Sequence, residues 1–164
     1  MDFNFYTILS KGFFNRTYEV YKDDTLRFRI RKASWFSLNK FIIEDQNGLE
    51  MLQIIRPMAF LKIKFRIRKF DEILAEVERE ISLTKNNLVI YSKYGDYFVS
   101  GKFSRKDFTI LKGSDEVAKV SRKDKFPLRN YGIAIKDTED ELFMIGIAFT
   151  LEIMIRILKA RTRQ

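Results

Sequence analysis

The sequence predicts a mainly β protein, a closed antiparallel β-barrel of about twelve strands around a buried C-terminal apolar α-helix. Three observations predict it. An apolar skeleton recurs along the chain: an aromatic residue, a second aromatic five residues on, and a β-branched aliphatic two further. Turn-forming residues and a second alternating run follow most copies. The last copy is followed instead by a segment that is apolar on nearly every helical face.

The copies are Phe13, Tyr18, Val20; Phe36, Phe41, Ile43; Phe60, Phe65, Ile67; Phe103, Phe108, Ile110; and Phe126, Tyr131, Ile133. A leucine version is Leu83, Leu88, Ile90. Their starts are separated by 23, 24, 23, 20 and 23 residues, a near-constant period that marks a repeated unit. The final i, i+2 pair of each copy puts two apolar side chains on one face of a strand.

Turns follow at KDDT (22–25), DQNG (45–48), KYGD (93–96) and KGSD (112–115). Return strands then carry Leu26, Phe28 and Ile30, or Val117 and Val120. The segment FDEILAEVEREISL (70–83) fits two forms: its Ile73, Leu74, Val77 and Ile81 suit a helix. The repeat register favours a strand with Ala75, Val77 and Ile81 inward. With FNFYTIL at 3–9, there are six first strands, five returns and one N-terminal strand. An antiparallel sheet of that size closes to remove its edges.

The helix is expected at about 139–160. Thr138 and Glu141 form a Thr-x-x-Glu capping box, and Arg156, Lys159, Arg161 and Arg163 suit the C-terminal end. A helix apolar all round must be buried, and a barrel interior needs filling. A membrane span needs about 20 apolar residues. The longest uncharged run here is Leu142–Leu151, followed by Glu152 and Arg156 as an i, i+4 pair, so a core helix is the expectation.

Composition agrees with one globular domain over residues 1–164: 46% of residues are hydrophobic and 32% charged, with two prolines and seven glycines. Cysteine and histidine are absent. Disulfides, Ser-His or Cys-His nucleophile pairs and ordinary zinc sites are thereby excluded. No Gly-rich phosphate loop or catalytic constellation is present, and nothing points to a cofactor. The N-terminal MDFNFYTILSKGFF does not read as a secretory signal, so a cytoplasmic location is expected. The net charge is +9, and the excess of Lys and Arg sits mainly in residues 1–69. That balance permits anionic partners without naming one.

Three stretches carry a resemblance to a known family: WFSLNKFIIEDQNGLEML (35–52), KFSRKDFTIL (102–111) and YGIAIKDTEDELFMIGIAFTLEIMI (131–155). The chain resembles the LURP-one-related proteins, which share a Tubby C-terminal-like barrel with the phospholipid scramblases; the scramblase likeness covers MIGIAFTLEIM (144–154). Tubby domains bind phosphoinositide headgroups, and scramblases are linked to calcium and lipid movement. The resemblance therefore implies a lipid-related binding role, with scrambling as the alternative. It also puts Asp137, Glu139, Asp140 and Glu141 where scramblases carry an acidic calcium segment. Capping of the helix accounts for those acids without a metal.

Two strands carry basic ladders. Arg27, Arg29 and Arg31 alternate with Leu26, Phe28 and Ile30, while Lys62, Lys64, Arg66 and Arg68 alternate with Leu61, Ile63, Phe65 and Ile67. The second ladder is expected to face Glu76, Glu78 and Glu80 on its return strand. The first is expected to be less compensated, its neighbours presenting Glu19 on one side and Lys40 with Glu44 on the other, and its guanidinium groups, about 6.6 Å apart, suit several phosphates. The two SRKD runs (104–107 and 121–124) read as polar hairpin corners. Nucleic acid is a poor match, since stacking needs exposed aromatics and these fall on the core skeleton. The expectation is a non-enzymatic binding module for an anionic membrane surface, a phosphoinositide-like headgroup or a protein partner, peripheral at the membrane. A carboxylate-based enzyme is the remaining alternative.

Overall fold

The computed structural model describes residues 2–12, 17–34, 39–58, 62–80, 88–102, 107–122 and 130–161. Twelve strands run in chain order: β1 (Phe3–Lys11), β2 (Thr17–Lys22), β3 (Thr25–Lys32), β4 (Lys40–Asp45), β5 (Glu50–Ile55) and β6 (Lys62–Lys69) come first. Then follow β7 (Glu72–Glu80), β8 (Leu88–Ser92), β9 (Tyr97–Lys102), β10 (Asp107–Lys112), β11 (Asp115–Ser121) and β12 (Tyr131–Lys136). They close into an antiparallel barrel in which each strand pairs with its sequence neighbours and β12 returns to β1. The helix α1 (Glu141–Arg161) ends the chain.

The repeat is the barrel's building rule. The second and third positions of all six copies lie on β2, β4, β6, β8, β10 and β12, and every one of these side chains is buried. The first positions, Phe13, Phe36, Phe60, Leu83, Phe103 and Phe126, lie outside the described residues, as do Leu61, Ile81 and Arg163. The ambiguous segment at 70–83 is strand β7, with Ala75 and Val77 inward. It pairs with β6 over its whole length.

The repeat also carries a feature that alternation does not reveal. A β-bulge follows Val20, Ile43, Ile67 and Ile110, the third skeleton residue of four copies. The extra residues on the return strands are Arg27, Met51, Leu74 and Val117. A bulge re-aims one side chain and strengthens the local twist, which helps a sheet to close. Leu74 and Val117 are buried, and Met51 packs against the core. Arg27 is the charged member of this set.

Residues Leu142–Glu152 of α1 are all buried, so the helix lies within the barrel. Gly146 lets it approach the wall closely, since a Cβ there would stand 3.3 Å from Leu52 Cδ1. Phe149 meets Tyr18 and Phe41 edge-on, with ring centroids 5.0 and 5.2 Å away. The N-cap differs from the expected one. Asp140, not Thr138, accepts the Phe143 N–H at 2.7 Å, and the helix begins at Glu141. Glu141 is thereby released from the capping box for other partners.

Candidate functional site

The turns joining β2–β3, β4–β5, β6–β7, β8–β9 and β10–β11 share one end of the barrel with the start of α1; this is the proximal end. The opposite, distal end is marked by the last turns of α1, where the Arg156 Nη1–H donates to the Tyr18 hydroxyl at 2.6 Å. Three groups of polar residues follow from this geometry.

On the wall, the second ladder pairs as its register requires. Lys62, Lys64 and Arg66 stand opposite Glu80, Glu78 and Glu76. Side-chain pairs run from Lys62 to Glu78 at 2.5 Å, and from Lys64 and Arg66 to Glu76 at 2.8 Å each. Hydrogen bonds from Lys64 hold the Glu76 carboxyl below its ordinary range, against a smaller opposing effect of burial. Arg68 reaches Asp71 at 3.8 Å.

The first ladder is more compensated than expected from the sequence, because a third carboxylate, Glu141, joins Glu19 and Glu44. Arg31 binds Glu44 at 2.5 Å, Arg29 approaches Glu19 at 4.0 Å, and Arg27 binds Glu141 at 2.6 Å. Two of these partners lie on neighbouring strands. The third comes from α1, because the bulge takes Arg27 out of the even outward series. The same bulge leaves Leu26 only half-buried. The three arginines therefore do not form a free, evenly spaced phosphate ladder.

At the proximal end the acidic run holds the start of the helix. The Tyr6 hydroxyl donates to Glu141 Oε2 at 2.5 Å, opposite the Arg27 contact. The Tyr97 hydroxyl donates to Glu139 Oε2 at 2.8 Å, with Lys112 3.9 Å from the same carboxylate. Burial, then the bond to a carboxylate, pushes both phenols up. Burial works to raise the Glu141 carboxyl, but hydrogen bonds from Tyr6 and Arg27 outweigh it and hold it low. Asp140 caps the helix, and Asp137 is exposed while its backbone N–H donates to Asp2. Among the described residues, no group of three or more carboxylates converges as a metal ion requires.

At the distal end the i, i+4 pair noted in the sequence is buried: Glu152 is fully enclosed and accepts from Arg156 Nε at 3.0 Å. Around the rim stand cations with no ion-pair partner among the described residues: Lys32, Lys40, Arg56, Arg122 and Arg161. Lys32, Lys40 and Arg56 sit at adjoining strand ends. Ala33 N–H donates to Lys40 at 2.9 Å and Arg56 N–H to Asn39 at 2.7 Å.

Sequence reasoning missed this rim and the tyrosine clamps. Tyr6 and Tyr97 are separated from their carboxylates by 135 and 42 residues, so no local pattern links them. Alternation singled out the ladders because regular spacing is visible in one strand. A rim assembles from different strand ends and shows only when the strands are placed.

The family model for LURP-one-related proteins matches residues 5–152. The chain belongs to the LURP-one-related family. A solved structure of an Arabidopsis thaliana protein is similar at a TM-score of 0.69 and 15% identity, covering 92% of this chain and 91% of that one. At that identity the likeness bears on the fold alone. Comparison with curated proteins returns no match. Among the described residues, no helix of this LURP-one-related chain is long and apolar enough to cross a membrane.

Proposed function

We propose that this LURP-one-related barrel is a non-enzymatic binding module whose distal end docks on anionic surfaces such as acidic phospholipid headgroups. The observation that carries the reading is the segregation of charge along the barrel axis. Acids outnumber bases at the proximal turns, with Asp23, Asp24, Asp45, Asp71, Asp96 and Asp137 against Lys22, Lys69, Lys93 and Lys112, whereas the distal rim carries Lys32, Lys40, Arg56, Arg122 and Arg161 against Asp107. The walls between are neutralised by cross-strand pairs. Neighbouring strands lie about 4.8 Å apart, so Lys32, Lys40 and Arg56 span roughly 10 Å of rim, within reach of several headgroup phosphates. A cation already held by a carboxylate has less to gain from a phosphate, which moves the reading from the ladders to the rim.

Vesicle sedimentation tests it. Each basic residue near an anionic bilayer contributes roughly 1 kcal/mol, so the triple change Lys32→Gln, Lys40→Gln, Arg56→Gln is expected to weaken binding more than a hundredfold. The ladder variant Arg29→Gln, Arg31→Gln is expected to lose far less. Wild-type binding should fall steeply with salt, because charges are screened over about 8 Å at physiological ionic strength. Equal losses in the two variants would overturn the rim assignment. Failure of the wild type to bind acidic vesicles at low salt would overturn the function.

A further inference from the structure

The proximal part of the outer face of β1 and β2 carries exposed apolar surface beside two carboxylates. On β1 the inward residues Tyr6 and Ile8 alternate with Phe5, Thr7 and Leu9, which point outward, and Phe5 is 68% exposed. Thr7 stands opposite Tyr21 of β2. Thr7, Leu9, Tyr21, Asp23 and Asp24 line a cavity of about 220 Å³. Sites for drug-sized ligands are commonly about 300–1,000 Å³, so a cavity of this size suits one side chain rather than a whole small molecule.

The chemistry of the lining selects that side chain. Leu9 and Tyr21 are the lining residues with large apolar parts. The Tyr21 hydroxyl is fixed by donation to Glu19 at 2.7 Å. Asp23 and Asp24 contribute two carboxylates with no ion-pair partner among the described residues. An aromatic face beside anionic groups favours a cation with an aliphatic stem. The exposed Phe5 on the same face offers a seat for an apolar neighbour of that cation.

We infer that the outer face of β1 and β2 docks a partner protein's segment in which an Arg or Lys lies between apolar residues. Its basic side chain enters the cavity toward Asp23 and Asp24, and an apolar neighbour covers Phe5. The proposal does not depend on membrane binding, which uses the other end of the barrel. Together the two would let the molecule carry a basic, apolar partner on one side while resting on an anionic surface with the other.

The backbone makes a clean test available. Asp23 and Asp24 hold positive φ angles of 47° and 62° in the β2–β3 turn, a conformation that Asn tolerates as well as Asp. Asp23→Asn with Asp24→Asn therefore removes charge while keeping the turn. The probe is the peptide acetyl-Leu-Arg-Leu-Arg-Leu-amide, with its citrulline counterpart as the neutral isostere. In ¹⁵N-resolved NMR titrations the Arg peptide should shift Phe5, Thr7, Leu9 and Tyr21. The citrulline peptide should bind at least tenfold more weakly, and the double Asn variant should bind both peptides equally weakly. Phe5→Ser should weaken the Arg peptide without removing its charge preference. Equal binding of the two peptides to wild type would overturn the proposal. So would shifts confined to other proximal turns, or self-association that the double Asn variant abolishes, which would make a second copy the occupant.

Discussion

Tyr6 and Arg27 approach Glu141 from two strands, and the three side chains fasten the helix start to the wall. Because the Glu141 carboxyl is held below its unfolded value, the folded state binds that proton less readily. Its contribution is present above the unfolded pKa, about 4.3, and is lost as pH falls through the lower folded value. Glu141→Gln is expected to cost roughly 1–2 kcal/mol at pH 7, the scale of charge-assisted hydrogen bonds on a half-buried group. Urea unfolding at pH 7, 5 and 3 checks the sign. The gap between wild type and variant should be widest at pH 7 and should narrow as the pH falls below 5 toward 3. A constant gap would mean that the carboxylate charge contributes nothing. Register made the outward alternation of Arg29 and Arg31 legible in the sequence. Arg27 was not, because one inserted residue changes the face that a strand presents.

The helix adds a second polar device among apolar neighbours. Glu152 is fully buried and Arg156 lies one turn on, with Tyr18 as a further partner. A buried pair is weak evidence for stability by itself, yet breaking it from one side is costly, about 3–5 kcal/mol, because the other charge stays enclosed. Arg156→Met should therefore destabilise strongly. Adding Glu152→Leu should recover most of the loss, since an apolar pair of similar volume leaves no orphaned charge. Thermal melts of the two variants separate these outcomes. If the double variant is as unstable as the single one, packing of Arg156 rather than its charge is what matters. The hydrophobic repeat made all twelve strands and this helix legible in outline. The helix start moved to Glu141 because Asp140 competed successfully with Thr138 for the cap.

The whole molecule is a barrel whose interior is largely its own C-terminal helix. Thirteen helix residues are buried, and removing even a few large apolar side chains from a core costs about 2–5 kcal/mol each. That exceeds the roughly 5–15 kcal/mol by which domains are stable. Truncation before Leu142 is therefore expected to abolish cooperative melting in calorimetry and to lose near-ultraviolet circular dichroism. A truncated chain that still melts cooperatively would show that the strands hold their shape without a filler. At this scale the charge distribution also becomes meaningful. Antiparallel pairing of sequence neighbours sends alternate connections to opposite ends, so residues scattered through the chain collect into an end where acids predominate and one where bases do.

Repetition, alternation and an all-round apolar segment were enough to determine the strand number, the inward faces and the need for a closed wall around a helix. These are local properties: hydrophobic burial acts on every copy of the skeleton in the same way, whatever its distant neighbours. Tertiary structure alone decided how charge is shared. The carboxylate that meets Arg27 lies 114 residues away, and the rim cations belong to different strand ends. Coulomb energy depends on distance in space, and spacing along the chain says nothing about that distance until the barrel closes.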